Sequence, residues 1–566
     1  MTLGLVGDGP AISAIEAALS DVSMAAEPIA ASDLDDVAFG VVVGDVGDAV
    51  FREANDAALA GDTTWLAIER GGLGGHVLSI DAGISGFAPT TGCFDCLSGR
   101  VEANLEADAE RADPDPTTMR VAGALAGREL AKLAAGGGSS LLGGVLELPH
   151  ATREFLPLPG CRCERGAKKH LSTEYVEREL DDSLARAERA IDNRIGIIHE
   201  VGEASSFPVP YYIARGGDTA GFSDATAAQQ AAGVAIDWNE ALMKAAGEAL
   251  ERYCAGIYRT SEFTQGQPSG MPNAVKPSEF VLPWDAADDA QIPWVEGERL
   301  AGGDPAYLPA EFVHFPPPTQ QHKPAITTGL GLGNSLPEAL LSGLYEVLER
   351  DATMLAWYSS FEPLKLDIED DTFDTLVRRA RSEDLEVTAL LVTQDVDVPV
   401  VAVAVHREGD WPRFAMGSGA DCDAVSAATS ALAEALQNWT ELGSMGTDAA
   451  MQAGAWIGHY ASFPDAVQGF VNVDASVSAQ AVSVDVAPAN ELPTVVERAE
   501  SAGMDVYAAR LTTRDVEELG FEATRVLIPQ AQPLFMDEPY FGTRAETVPK
   551  ELGFEAELDR EPHPYP

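Results

Sequence analysis

Acidic side chains recur at helical spacing in three separate parts of the sequence. In the central part they occupy one arc of about 120° on a helix drawn at 100° per residue, and leucine and valine side chains fill the arc behind them. This central stripe consists of Glu338, Ser342, Glu346, Glu349 and Arg350. Its spacing from the serine onward is repeated by Lys244, Glu248, Glu251 and Arg252, and a third time by Ser430, Glu434 and Gln437.

The chemistry of such stripes depends on whether they act alone or together. One stripe is typical of a solvated helix face, where a Glu–Arg pair four residues apart contributes a few tenths of a kcal/mol. Three stripes in one register instead predict three sides of a shared site. Carboxylates gathered so closely repel each other unless cations neutralise them, and hard oxygen ligands favour Mg²⁺ over zinc. Because Mg²⁺ held by carboxylates commonly comes with substrate phosphates, the stripes predict a magnesium–nucleotide site.

The elements that must position these side chains are three helices, of which the central one follows a glycine-rich loop at residues 328–334. Strand patterns accompany them at residues 211–214, 387–392, 400–405 and 525–528. A stretch rich in proline and aspartate, residues 272–318, is expected to form loops around the site. This mixture predicts an α+β fold for the second part of the chain.

The composition limits the partners of this chain of 566 residues. There are 90 acidic against 37 basic side chains, eight of them lysine, and the formal net charge is −53. Because the fraction of apolar residues is normal, this charge predicts a folded protein rather than a disordered chain. Dense surface carboxylates are typical of proteins from a high-salt cytoplasm, as in haloarchaea. Nucleic acid is not expected as a partner, since its phosphates would be repelled. We find no secretory signal and no apolar run of 18 residues. We therefore expect a cytoplasmic location and no membrane-spanning helix.

Short apolar runs alternate with helical patterns in the first 135 residues. Strands are predicted at residues 3–6, 39–44 and 64–68, with helices between them and at 119–135. This alternation predicts a parallel, Rossmann-like α/β sheet. The turn from Gly7 to Pro10 is an incomplete dinucleotide-binding fingerprint, so we do not expect a nucleotide there.

Four cysteines form a candidate metal site. Cys93 and Cys96 make a Cys-x2-Cys pair, and Cys161 and Cys163 follow much later with one residue between them. Two such pairs can close a tetrahedral structural zinc site. The short second spacing departs from the usual pattern, and a set of free cysteines is the alternative.

At the acidic stripes the chain resembles the YcaO proteins, whose ATP site carries Ser-x3-Glu-x2-Glu-Arg and Ser-x3-Glu-x2-Gln motifs. The first motif of the family is met here with Lys244 where a serine is common. The alternating prolines Pro562, Pro564 and Pro566 resemble the C-terminus of azoline-forming members. The resemblance covers residues 195–566 and implies an α+β YcaO domain.

The resemblance implies a role for each residue of the stripes. Mg²⁺ is expected on Glu248, Glu251, Glu338, Glu346, Glu349 and Glu434. Phosphate or nucleotide contacts are expected from Lys244, Arg252, Asn334, Ser342, Arg350, Ser430 and Gln437. The proline tail is expected beside the substrate, with the carboxylate of Pro566 as a proton acceptor.

The first half resembles the ThiF-like domains, related to ubiquitin-activating enzymes, that partner azoline-forming YcaO proteins. We therefore expect a degenerate ThiF-like domain at residues 1–170, a helical connector at 171–194 and the catalytic domain at 195–566. The connector is expected as a charged helix with a solvated face over residues 168–191. No leader-binding module is expected before the first strand, so a separate leader-binding protein is a possible partner.

The implied activity is ATP-dependent activation of backbone amides in a ribosomally made precursor peptide, forming azolines from Cys, Ser or Thr. Thioamide or amidine formation uses the same activation and stays an alternative. A non-catalytic, peptide-binding member of the family is another, whereas a ubiquitin-like-protein activating enzyme is disfavoured by the broken glycine motif. The sequence leaves the precursor and the oligomeric state open, with a homodimer compatible with it.

Overall fold

A computed structural model describes residues 2–105, 110–149, 151–164, 166, 171–172, 174–286, 289–452, 456–536 and 538–565. In the first part the elements are β1 (Leu3–Val6), α1 (Pro10–Asp21), β2 (Glu27–Pro28), β3 (Phe39–Asp45), α2 (Ala49–Gly61), β4 (Thr64–Leu73), β5 (His76–Phe87), α3 (Phe94–Ala103), α4 (Pro116–Ala134), β6 (Gly144–Leu148), β7 (Ala151–Glu154) and α5 (Leu180–Glu188).

The middle of the chain continues with β8 (Ile198–Ser205), β9 (Tyr211–Gly216), β10 (Gln230–Val234), α6 (Trp238–Gly256), β11 (Thr264–Gly266), β12 (Ile292–Arg299), β13 (Asp304–Pro309), α7 (Ala310–Val313), β14 (Leu330–Gly333), α8 (Leu336–Trp357), β15 (Leu364–Asp367), α9 (Asp371–Ser382), β16 (Glu386–Leu391), β17 (Val400–His406), β18 (Phe414–Ala420) and α10 (Ala424–Met445). The last elements are α11 (Thr447–Ala450), α12 (Ile457–Tyr460), α13 (Asp465–Val471), β19 (Ser476–Ser478), α14 (Ala479–Val482), α15 (Pro488–Ser501), β20 (Tyr507–Arg510), α16 (Arg514–Leu519), β21 (Glu522–Leu527) and α17 (Arg544–Leu552).

The first sheet has the strand order β2-β1-β3-β4-β5-β6-β7. Strands β1 to β4 pair in parallel, as the alternation of strands and helices predicts, but β4 to β7 pair antiparallel. The expectation of a wholly parallel sheet is therefore wrong for its second half. The reason is the two-residue turn between β4 and β5, where Gly74 and Gly75 have φ of 59° and 83°. Two consecutive residues with positive φ form the tight turn that joins antiparallel neighbours.

Two further sheets frame the three helices that carry the acidic stripes. One has the order β11-β12-β20-β21-β14 with β13 beside β12, and the other the order β18-β17-β16-β15-β19. Helix α8 packs on β14 and β21 of the first and also reaches β18 of the second. Helix α6 packs on β10 and β14, and α10 packs on β17 and β18. Strand β10 belongs to a third sheet of order β10-β9-β8. Helices α6 and α8 share β14, and α8 and α10 share β18, which brings the three helices together.

Two sequence expectations fail in extent. The stretch 272–318 is not only loops, because β12 and β13 form a hairpin in it; Ile292 and Trp294 alternate inward, a pattern that the prolines hide. Residues 168–170 and 173, also predicted as helix, lie outside the described residues. Within the described part of the connector only α5 is helical, and residues 174–179 are not. These residues run beside the start of α8, so tertiary contact overrides their helical propensity. Within the described part of the chain, no helix is long and apolar enough to cross a membrane.

Candidate functional site

The loop before α8 places the first residues of the site. Glycine is required in β14, because a Cβ on Gly331 would lie 2.1 Å from the carbonyl oxygen of Ala339. The strand therefore runs directly against α8. At the helix start, Glu338 accepts hydrogen bonds from the backbone N of Asn334 at 3.0 Å and from its Nδ2 at 3.2 Å. Two turns further on, Glu346 Oε2 accepts from the backbone N of Gly329 at 3.0 Å.

The three helices bring their carboxylates close enough to perturb one another. Burial, with contributions from Glu346 and Glu248, raises the pKa of Glu251 to about 8 against the lowering effect of Arg252. Burial also raises the pKa of Glu349 to about 7, Glu434 and Glu346 adding to the rise. The pKa of Glu434 itself is raised mainly by burial. The carboxylates predicted on α6, α8 and α10 therefore form one electrostatic cluster.

A serine that sequence patterns did not single out joins two of these helices. Ser418 on β18 donates from its hydroxyl to Glu349 Oε1 at 2.6 Å. Its backbone N donates to Glu434 Oε2 at 2.7 Å. Both bonds favour the ionised carboxylates, so they orient two acids on different helices toward the same space.

Arginines from the stripes accompany the carboxylates. Arg252 Nη2 donates to Glu248 Oε1 at 2.8 Å, and its Nε lies 3.7 Å from Glu251 Oε1. Glu248 also accepts from the backbone N of Ala232 at 2.8 Å. Arg350 Nε lies 4.0 Å from Glu349 Oε1. These pairs offset part of the negative charge and leave the cluster acidic.

Other predicted residues lie toward the open end of the site. Lys244 and Ser430 are exposed and line a cleft of about 310 Å³ together with Asp370 and Asp423. Ser342 is exposed on α8. Gln437, expected to contact phosphate, donates to Glu441 Oε1 at 2.9 Å, an oxygen that Tyr211 also uses. This bond uses one of the two N–H donors of the Gln437 amide and leaves the second for another acceptor.

The connector adds a contact that the sequence did not predict. Ser183 in α5 is buried and donates from its hydroxyl to Asn334 Oδ1 at 2.8 Å. Charge on Arg178 counteracts the burial that raises the pKa of Glu338. The connector face toward α8 is therefore part of the site rather than solvated. Its serine has no sequence signal beyond its place one turn into a helix.

The C-terminal segment packs beside the cluster. Trp357 Nε1 donates to the carbonyl of Glu561 at 2.8 Å, and Tyr460 donates to the carbonyl of Pro562. Tyr565 is fully buried, and burial and the charge of Glu349 raise the pKa of its phenol. Pro564 is buried in the same segment, whereas Pro566, predicted as a proton acceptor, lies outside the described residues.

The four cysteines come together at the start of α3. The Sγ atoms of Cys93 and Cys161 are 3.6 Å apart, and those of Cys96 and Cys163 are 3.4 Å apart. All four lie within 4.8 Å of one another, and they are the one group of this closeness among the described residues. Four thiols on two short loops are the donor set of a structural zinc site, so the geometry fits that ion. No group of three acidic side chains in the described part of the chain closes to this distance, so the carboxylates of α6, α8 and α10 are spaced more widely than the four thiols.

Buried ionic contacts connect the cysteine cluster to the acidic cluster. Arg514 Nη1 donates to Cys163 Sγ at 3.2 Å. The next residue, Asp515, pairs with the buried Arg100 of α3 and accepts from the hydroxyl of Tyr253 at 2.6 Å. Tyr253 lies on α6, two residues after Glu251. The first part of the chain is thus tied to a helix of the candidate site.

Sequence reasoning also missed two cations near the cluster, Arg525 and Lys323. Arg525 donates through Nη1 and Nη2 to the carbonyls of Thr327 and Ile326, both at 2.9 Å. Its only sequence signal is its position at the start of a predicted strand. Lys323 lies just before the glycine-rich loop. Lysine is rare in this chain, with eight in 566 residues, and a lysine at this position is the sequence signal that could have identified it.

Comparison with protein families gives one match. The family described as "YcaO cyclodehydratase, ATP- and Mg²⁺-binding" matches residues 232–532. An uncharacterised protein of Methanothermobacter thermautotrophicus is 29% identical over 216 residues, which are 37% of this chain and 56% of that protein. An uncharacterised protein encoded in the tfuA 3′ region of Rhizobium leguminosarum bv. trifolii is 28% identical over 231 residues, 36% of this chain and 54% of that one. The match thus spans about half the length of these curated relatives.

Solved structures share the fold. A heterocyclase in complex with substrate and cofactor superposes with a TM-score of 0.74 and 20% identity, over 98% of this chain and 83% of that one. The heterocyclase TruD gives a TM-score of 0.64 at 19% identity, over 98% and 81% of the two chains. YcaO from Methanopyrus kandleri, bound with AMPPCP and Mg²⁺, gives 0.51 at 22% identity, over 64% and 96%.

Proposed function

The chain belongs to the YcaO cyclodehydratase family, and from this premise we propose that it uses Mg²⁺ and ATP to convert Cys, Ser or Thr residues of a precursor peptide into azolines. The observation that carries the proposal is the electrostatic cluster of Glu251, Glu349 and Glu434. These acids come from three helices, and their pKa values are raised by burial, with the charge of Glu346 adding to the rise of each. Such a cluster is unfavourable by itself and becomes favourable when cations enter it.

The thiol or hydroxyl of the peptide residue loses its proton and adds to the preceding amide carbonyl. The resulting oxyanion attacks the γ-phosphorus of ATP, and ADP leaves. Loss of the amide N–H proton then forms the C=N bond of the ring as phosphate is expelled. Mg²⁺ supplies neutralisation of charge on the phosphoryl oxygens. The chain's own carboxylates, Glu248, Glu251, Glu338, Glu346, Glu349 and Glu434, hold the ions directly or through water. Arg252 and Arg350 contact phosphate oxygens, and Ser418 fixes the geometry of Glu349.

The remaining groups position the substrates. Asn334 and Ser342 help to place the nucleotide, with Ser183 holding Asn334 in position. Lys244 and Ser430 line the cleft at the open end, where the nucleotide enters. The C-terminal segment is held at Pro562 by Tyr460, and its Tyr565 lies within electrostatic range of Glu349. We place the reacting amide beside this segment. A tail packed beside the acidic cluster favours azoline formation over thioamide or amidine formation.

We further propose that residues 1–170 form a ThiF-like domain that presents the peptide, with zinc on Cys93, Cys96, Cys161 and Cys163. Residues 171–194 connect it to the catalytic domain at residues 195–566. Supporting this, the structure ties α3 to α16 and α6 through Arg100, Asp515 and Tyr253. We also propose that the protein works in a high-salt cytoplasm and that a separate leader-binding protein is its partner.

Calorimetric titration of Mg²⁺ and ATP in multimolar KCl tests this function. Wild type should bind both, and Glu349→Gln should lose Mg-ATP binding and phosphate release while its melting temperature stays the same or rises. Glu362→Gln, at an exposed position, is the matched control. A folded wild type that binds no ATP would instead support a non-catalytic, peptide-binding member of the family.

A further inference from the structure

A small cavity beside the acidic cluster has an unusual charge. It holds about 40 Å³ and is lined by the basic side chains of Lys323, Arg350 and Arg525. Its other lining residues, within the described part of the chain, include no aspartate or glutamate. In a chain with 90 acidic and 37 basic residues this is a local reversal of charge. Cations that face each other without carboxylates between them create a site for an anion.

Arg525 is held in place by backbone carbonyls rather than by a counterion in the cavity. Arg525 is 3% exposed, and its two terminal nitrogens donate to the carbonyls of Ile326 and Thr327. Its Nε is buried and has no hydrogen-bond partner among the described residues. This donor is therefore available to a ligand, and leaving it unsatisfied is costly.

Lys323 is positioned by aromatic faces. Its Nζ lies 4.8 Å from the ring centre of Phe312 and 5.6 Å from that of Phe280. Glu311, the acid whose charge acts on Lys323, already accepts from both His322 and Gln321. Burial and the neighbouring Arg525 lower the pKa of Lys323 to about 8, and burial lowers the pKa of Arg525 to about 10. An anion between the two side chains would remove this repulsion.

The size and location of the cavity select the anion. A cavity of about 40 Å³ has room for roughly three water-sized groups, which suits one phosphoryl group and excludes a nucleoside or a peptide segment. Arg350 belongs to the acidic motif of α8, and Arg525 lies within electrostatic range of Glu346 and Glu251. The cavity therefore borders the carboxylates that would hold Mg²⁺.

We propose that Lys323 and Arg525, with Arg350, form a phosphoryl subsite that holds either the terminal phosphate of ATP or the inorganic phosphate that the reaction releases. The choice of ATP and phosphate as ligands rests on the function proposed above, whereas the preference for an anion follows from the basic residues that line the cavity. Phe280, Val281 and Pro529 line both the cavity and a neighbouring groove of about 850 Å³ that includes the exposed Trp284. The groove gives free phosphate a route between the cavity and solvent.

The test compares Lys323→Met with wild type by calorimetry in KCl, using Mg-ATP, Mg-ADP and inorganic phosphate as separate ligands. Lys365→Met, on the exposed side of β15, is the matched control, and Lys323→Arg keeps the charge. A charged hydrogen bond to phosphate predicts a loss of about tenfold or more. If the terminal phosphate of ATP occupies the subsite, Lys323→Met weakens ATP by that factor and leaves ADP within about twofold.

If the subsite serves the released phosphate, Lys323→Met leaves both nucleotides unchanged and loses binding of inorganic phosphate. Either result supports the subsite, and Lys323→Arg should restore it. Unchanged affinity for all three ligands would overturn it. If wild type does not bind ATP, the function proposed above is wrong. The titration with inorganic phosphate would still show whether the cavity binds an anion.

Melting curves keep the test independent of folding defects. Removal of a cation that repels its neighbours should leave the melting temperature of Lys323→Met equal to or above that of wild type. Inorganic phosphate should raise the melting temperature of wild type and of Lys365→Met, because a ligand stabilises the state that binds it. An equal rise in Lys323→Met would contradict the subsite.

Discussion

Ser418 donates a hydrogen bond of 2.6 Å to Glu349, so a strand on one side of the candidate site fixes an acid on a helix of the other side. We predict that Ser418→Ala raises the pKa of Glu349 above its value of about 7, because the lost bond favours the ionised form. Binding of Mg-ATP should weaken by about tenfold at pH 7, the effect of one charged hydrogen bond. Calorimetry at pH 7 and pH 9 checks this, since the deficit should shrink at the higher pH. Ser418→Thr, which keeps the hydroxyl, is the control.

Mg²⁺ binding should release protons. Glu251 and Glu349 have pKa values of about 8 and about 7, above the ordinary 4.5, so both hold protons near neutral pH in the folded protein. Mg²⁺ affinity should therefore rise from pH 6 to pH 9. Titrations in buffers of different ionisation enthalpy measure the protons released, and Glu251→Gln should release fewer. Equal heats in all buffers would contradict the prediction.

The same two acids set the pH dependence of stability. Because the folded state binds protons more tightly than the unfolded state, the free energy of unfolding without Mg²⁺ should fall as pH rises from 4.5 through about 8. Saturating Mg²⁺ should abolish this fall, which urea titrations at several pH values can measure.

Deletion of residues 562–566 should stop azoline formation and also destabilise the fold. Tyr565 is fully buried, and loss of such a ring costs about 3–5 kcal/mol. Tyr565→Phe is the control, because the hydroxyl is buried without a hydrogen-bond partner among the described residues and its removal should leave stability unchanged or higher. Urea unfolding and mass spectrometry of the peptide check the two effects. Azoline formation by the truncated chain would show that the tail has no role in the chemistry.

The purified chain should carry one zinc ion, and Arg514 should strengthen its retention. Arg514 donates to Cys163 Sγ, offsetting the negative charge of four zinc-bound thiolates. Arg514→Met should weaken zinc retention by about 10–100-fold, as is typical for groups that support metal ligands. Chelator competition measures this, with the exposed Arg120→Met as control and Cys161→Ser as the variant without the site. Equal zinc loss from Arg514→Met and wild type would contradict the role of Arg514.

Stability should rise steeply with KCl. A net charge of −53 produces self-repulsion, and the screening length falls from about 10 Å at 0.1 M salt to about 3 Å at 1 M. Melting temperatures between 0.1 M and 3 M KCl should increase throughout. A protein whose melting temperature is the same over this range would not fit a high-salt cytoplasm.

The parts of the site that share a helix were predictable from the sequence. Glu346 and Glu349 follow the helical period of α8, and Glu434 follows that of α10. The sequence therefore predicts which face of each helix carries the carboxylates. Ser418 and Arg525 could not be assigned this way, because they belong to strands whose pairing depends on the whole topology. Gln437 also follows the helical period, but periodicity does not show that its amide donates to Glu441.

The fold follows the same division. The alternation of strands and helices predicted the parallel pairing of β1, β3 and β4, which depends on local patterns and crossover helices. The antiparallel half depends on one turn, Gly74 and Gly75, whose conformation a run of apolar residues does not reveal. The connector was predicted as a longer helix because local helical propensity does not reveal its contacts with α8.

The ion pair between Arg100 and Asp515 decides how the gene can be divided. The two residues are buried and lie 415 positions apart, so a fragment that begins near residue 195 lacks both the partner of Asp515 and the α3 surface that packs on it. Removing one partner of a buried ion pair is destabilising, and it also exposes the surface that α3 covers. Expression of the catalytic half alone should therefore give insoluble protein, and co-expression of the first half as a separate polypeptide should rescue it.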